Sequence, residues 1–91
     1  MSKDAKPLNP TLEGRAIVLI SGHSNESITT RFAQALGEYL VRINDTQEIH
    51  MSGRVILAID FSHDPAHLPA IEADLTALAR TAGLDVAVDE I

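Results

Sequence analysis

Asp60, His63, Asp64 and His67 form the densest group of side chains able to ligate a metal or move protons. Imidazole and carboxylate together are a donor set of zinc and of general acid–base sites. Their span takes in the end of an apolar run, an Asp-Pro pair and the start of a helical pattern, so the four need not face one centre. The regular ligand spacing of a zinc site is also missing. We read Asp64 as a helix cap and His63 and His67 as solvated, and expect no metal. His23 and His50 stand alone and read as surface or interface residues rather than general bases. Ser24, Asn25 and Ser27 precede a helical pattern, where such residues cap free N–H groups. A helix start also favours anions, so the amides from Asn25 to Ile28 have a second reading as contacts for a carboxylate. With Cys 0 in the chain, disulfides, thiolate metal sites and cysteine nucleophiles are excluded.

The elements that would hold these residues follow from apolar spacing. Arg15 to Ser21 (RAIVLIS) is a short β-branched run and predicts a strand buried on both faces. Ile28, Phe32, Ala35, Leu36, Tyr39, Leu40 and Ile43 repeat at helical offsets. Thr46 to Met51 predicts a weaker strand, and Ser52-Gly53 a two-residue hairpin turn. Arg54 to Phe61 (RVILAIDF) predicts the second strong strand. Asp64-Pro65 opens a helix whose apolar face is Leu68, Ile71, Leu75, Leu78, Ala79 and Ala82. Gly83 suits the left-handed position past its end, with Leu84 folding back onto the last turn. Asp85 to Ile91 alternates like an edge strand. Met1 to Gly14 carries no apolar period and reads as a flexible leader, leaving 15–91 as one domain.

The order β-α-β-β-α-β predicts an α+β, ferredoxin-like βαββαβ sandwich. Its antiparallel sheet would run 4-1-3-2, with two helices on one face. Val55, Leu57, Ile59 and Phe61 then face the helices along with Ala16, Val18 and Ile20. Ile17, Leu19, Ile56 and Ala58 are left on the opposite face. An open face in water is normally polar. A contiguous apolar patch usually marks a partner surface, so we expect a second copy or another domain against that face or beside the sheet.

The 91 residues allow one domain. A chain of this size buries roughly two-thirds of its unfolded surface at best, which makes help from a partner plausible. The formal charge of −6 disfavours nucleic acid and anionic membranes. No apolar run approaches the roughly 20 residues of a membrane span, and no signal core is present, so the cytoplasm is the expected compartment. Acylphosphatases share this fold class but need an arginine in the loop after the first strand, where this chain has none. RNA-recognition domains need aromatic residues on the open face, and Ile17, Leu19, Ile56 and Ala58 cannot stack bases.

The sequence resembles the ACT domain family, and in particular the N-terminal regulatory domain of some bacterial phosphoserine phosphatases. The resemblance is carried by RAIVLISGHSNESITTRFAQALGEYLVRI, by SGRVILAIDF, and by LTALARTAGLDVAVDEI. It implies the fold derived above, a homodimer through the sheet, and a small amino acid such as serine bound near the first loop. That loop commonly reads Gly-x-Asp-x-Pro-Gly-[Ile/Val] in the family. Gly22 and Ile28 match it, whereas Ser24, Glu26 and Ser27 stand at the Asp, Pro and second Gly positions. The implied ligand residues are therefore Gly22, Ser24, Asn25, Glu26, Ser27 and Ile28. The resemblance also implies a following catalytic domain in a parent enzyme of serine biosynthesis, with an aspartate nucleophile and magnesium. None of that machinery, and no cofactor, belongs to these residues. The end at Ile91, directly after the last strand, fits a piece of a longer protein. A free-standing ACT protein and a pure dimerisation module are the alternatives.

Overall fold

The apolar runs pair as one sheet because each strand can satisfy its backbone only on a neighbour. A computed structural model describes residues 12–24 and 27–91. Strand β1 (Gly14–His23) leads to helix α1 (Ile28–Leu36), then strands β2 (Val41–Met51) and β3 (Arg54–His63). A short 3-10 turn (Pro65–His67), helix α2 (Leu68–Ala82) and strand β4 (Asp85–Glu90) complete the chain. The sheet order is β2-β3-β1-β4, with every pairing antiparallel. This is the ferredoxin-like βαββαβ arrangement, with both helices on one face.

The core lies between that face and the helices. Ala16, Val18, Ile20, Val55, Leu57, Ile59 and Phe61 meet Ile28, Phe32 and Leu36 of α1 and Leu68, Ile71, Leu75 and Ala79 of α2. Period two on the strands and periods three to four on the helices thus converge on one layer. The β2–β3 hairpin turns on Ser52 and Gly53, with φ of 52° and 74°. Two consecutive positive φ values define the turn type whose twist matches paired strands. Past α2, Gly83 takes φ 73°; its N–H bonds Arg80 O at 3.2 Å, and the Leu84 N–H bonds Ala79 O at 2.8 Å. Leu84 is thereby folded onto the core, as the sequence predicts.

Two expectations are corrected. The helical spacing carried α1 to Ile43, but the helix stops at Leu36. Gly37 has poor helix propensity, and the chain tightens there: Tyr39 N–H bonds Leu36 O at 3.0 Å. β3 then pairs with Val41, Arg42 and Ile43, so β2 begins five residues before Thr46. A bulge between Ile43 and Asp45 keeps Ile43 and Thr46 on the same face although they are three residues apart. The second correction concerns His63. It is not solvated but wholly buried, because β3 runs on past Phe61 and turns His63 toward the helices. Its Nδ1 lies 3.1 Å from the Asp64 carbonyl and its ring 5.6 Å from that of Phe61. The flexible leader expected over residues 1–14 lies, up to residue 11, outside the described residues, whereas Gly14 is already in β1.

Candidate functional site

The loop after β1 meets the hairpin end of β2 at the start of α1. The Ser24 N–H bonds Gly53 O at 2.9 Å, tying the loop to the hairpin turn. Ser24 Oγ lies 3.2 Å from His50 Nδ1, and His50 Nε2 lies 2.5 Å from Glu48 Oε2. The Thr29 hydroxyl donates to Glu48 Oε1. One hydrogen-bonded chain therefore joins the loop, the edge strand and the first turn of α1. Glu48 and His50 are neighbours because residues two apart on a strand share a face. The Thr29 hydroxyl, then His50, holds the Glu48 carboxyl below its ordinary range. The site is thus a fixed, ionised carboxylate beside a helix start and an imidazole.

The residues implied by the resemblance take different places. Ser24 joins this chain and does not cap α1. Ser27 is the N-cap residue, and its carbonyl accepts the Arg31 N–H at 2.9 Å. Asn25 and Glu26 lie outside the described residues. Ile28 is buried in the core. Gly22 serves packing: a Cβ there would meet Leu84 Cδ2 at 2.5 Å, so the absent side chain lets the α2–β4 junction close onto β1. Sequence reasoning missed Thr29 and Glu48, and read His50 as isolated. The available signal was the Glu-x-His pair on an alternating strand.

The four residues first weighed as metal ligands separate. Asp60 faces the open side of the sheet, where Arg15 Nε and a terminal guanidinium nitrogen reach its two oxygens at 3.0 and 2.8 Å. His63 points into the core. The Asp64 carboxylate accepts the Ala66 N–H at 3.0 Å, and the His67 ring lies 6.3 Å from that of Tyr39. Tyr39 in turn donates to Asp74 Oδ2 at 2.5 Å, which pushes the phenol pKa up.

The open face carries the four apolar residues expected on it. Ile17 and Ala58 are half-buried, and Leu19 and Ile56 are 45% and 47% exposed. The register adds Ile49 beside Ile56, Met51 beside Arg54, and Ala87 beside Leu19. Asp60 accepts a further bond from Asn44 Nδ2, which also reaches Ser62 Oγ. The Arg15 guanidinium, then Asn44, holds the Asp60 carboxyl below its usual range.

The ACT domain family model matches residues 15–89. The chain belongs to the ACT domain family. As an ACT domain it superimposes on a candidate glycine cleavage system transcriptional repressor with a TM-score of 0.79 at 14% identity, over 86% of this chain and 46% of that one. It is similar to a formyltetrahydrofolate deformylase from Burkholderia mallei, with TM-score 0.75 and 12% identity over 82% of this chain and 27% of that one. An ACT domain protein from Streptococcus pneumoniae gives TM-score 0.71 and 15% identity over 90% and 91% of the two chains. At these identities the likeness is one of fold. This ACT domain spans less than half the length of the first two of these structures. No curated protein matches it in sequence. No described helix is long and apolar enough to cross a membrane.

Proposed function

We propose that this ACT domain is a regulatory module that pairs with a second copy and takes a small amino acid at the β1–α1 loop. The observation that carries the reading is the chain Ser24–His50–Glu48–Thr29. It draws the loop, the edge strand and the helix start into one polar corner with an ionised carboxylate. Glu48 uses one lone pair on each oxygen and keeps others free for an ammonium group. The amides at the start of α1 are suited to a carboxylate.

Serine and glycine are the first ligands to test. Titration by NMR should shift the amides of Gly22, Ser24, Ser27, Ile28, Thr29 and His50 together. Unmoved signals at millimolar ligand would remove the sensor reading. A pure pairing module is favoured by a different aspect of the same corner, in which each polar group already has a protein partner. The finer reading, a regulatory domain ahead of a magnesium-dependent phosphoserine phosphatase, is supported by the sequence likeness of the β1–α1 stretch and the AGLDVAV tail. Sequencing the gene downstream of Ile91 tests it, since an aspartate-rich strand motif must follow.

A further inference from the structure

We propose that His50 makes ligand capture at the Ser24–His50–Glu48–Thr29 corner proton-coupled: the corner holds a primary ammonium group while the imidazole is neutral, and gives it up when the ring takes a second proton. This rests on the reading above that the corner is the ligand site, and it adds which end of the ligand binds there and what releases it.

An ionised carboxylate only accepts hydrogen bonds. His50 Nε2, 2.5 Å from Glu48 Oε2, therefore carries a proton. In the neutral ring Nδ1 is then a bare acceptor, and the Ser24 hydroxyl at 3.2 Å donates to it. Thr29 donates its hydroxyl proton to the other Glu48 oxygen. The hydroxyl protons of Ser24 and Thr29 are thus spent inside the corner. What Ser24, Thr29 and Glu48 offer outward is lone pairs beside one negative charge. Acceptors of that kind suit an ammonium group, which has three donors and no acceptor. A carboxylate finds no side-chain donor among them.

A second proton reverses both properties. It can enter the ring only at Nδ1, which then donates to Ser24 Oγ and turns the Ser24 O–H outward. The ring charge also offsets that of Glu48 across the 2.5 Å contact. A lone pair is lost, a donor is gained, and the attraction for a cation falls. Among the described residues Glu48 is the one charged group in contact with His50. From other elements His50 meets Ser24 of the β1–α1 loop and lies opposite Val55 of β3, while Thr29 of α1 sits beside Glu48. None of these three titrates. Glu48, held below the ordinary carboxylate range, stays ionised between about pH 5.5 and about pH 8. The His50 and Glu48 side chains are 48% and 35% exposed, so ligand and proton can both reach them.

Nitrogen NMR of the unliganded protein at pH about 8 should report the Nε2–H tautomer of His50. Serine should bind there with a Kd on the order of 1 mM, since the corner is open to water. At pH about 5.5 binding should be roughly tenfold weaker, somewhat more than two unit charges about 4 Å apart give in water. By linkage, serine should move the NMR titration of His50 toward lower pH. N-acetylserine keeps the carboxylate but has no ammonium group, and should bind at least roughly tenfold more weakly than serine at pH about 8. His50→Gln should abolish the pH dependence. His50→Lys should bind serine poorly at both pH values, because its charge is permanent over that span. His23→Gln and His67→Gln should keep the wild-type pH dependence. Equal serine binding at both pH values, or a dependence that vanishes in His23→Gln or His67→Gln instead, overturns the proton coupling and leaves the site standing. N-acetylserine bound as tightly as serine overturns the ammonium assignment. An Nδ1–H tautomer overturns the order of hydrogen bonds whether or not serine binds. Serine that binds at neither pH overturns both this coupling and the reading beneath it.

Discussion

Replacing His63 by leucine should stabilise this domain. The imidazole is fully buried. Its Nδ1 faces a carbonyl, which can only accept, so Nδ1 carries the proton and donates to Asp64 O at 3.1 Å. Nε2 is then a bare acceptor, and among the described residues it has no hydrogen-bond partner. A buried unpaired acceptor costs about 1–3 kcal/mol, whereas the bond at Nδ1 contributes about 1 kcal/mol. Losing that bond strands nothing, because Asp64 O keeps the His67 N–H at 2.9 Å. Leucine also adds apolar contact with Phe61, against a shape penalty below about 1.5 kcal/mol. The balance is a gain of about 1 kcal/mol, or roughly 4–8 °C in Tm for a chain of this size. His63→Ala should instead cost about 2–4 kcal/mol through the cavity it leaves. Urea and thermal unfolding at pH about 8, above the ordinary histidine range, measures both. Nitrogen NMR of the wild type should report the Nδ1–H tautomer. A leucine variant destabilised by more than about 1 kcal/mol would refute the reasoning, since Nε2 would then be making a contribution that the geometry denies it.

Gly22→Ala should cost about 1–2 kcal/mol through overpacking on Leu84. Trimming that contact with Leu84→Ala should make the two changes non-additive in urea unfolding, and strict additivity would discount the contact. Gly83→Ala, at φ 73°, should cost about 1 kcal/mol with no change in fold, measured the same way. Acid stability should depend on Asp60 and Glu48. Both carboxyls lie below their ordinary range in the folded chain. Their contribution is therefore complete above the ordinary carboxylate range and is lost as pH falls through the lower folded values. Asp60→Asn should flatten the stability profile below roughly pH 4, and an unchanged acid limb would show that the Arg15 pair is idle in solution.

Much of the architecture is legible in local pattern. Alternation in RAIVLIS and RVILAIDF marks which residues face the helices, because side chains on a strand can point only two ways. Ser-Gly and Gly-Leu mark the hairpin and the end of α2, because few residues tolerate positive φ. Helical spacing from Tyr39 to Ile43 misled, since the same residues also satisfy a strand once β3 offers a partner edge. Local propensity carries no record of such long-range pairing.

The β-α-β-β-α-β order and the apolar character of both faces of β1 and β3 were therefore determined by sequence alone, since each depends only on periodicity along one segment. Which polar residues meet was decided by tertiary structure. Ser24 and His50 are 26 positions apart and Arg15 and Asp60 are 45 apart. Strand register, not spacing along the chain, brings each pair together. The same holds for His63, whose burial follows from how far β3 extends beside β1 and β2.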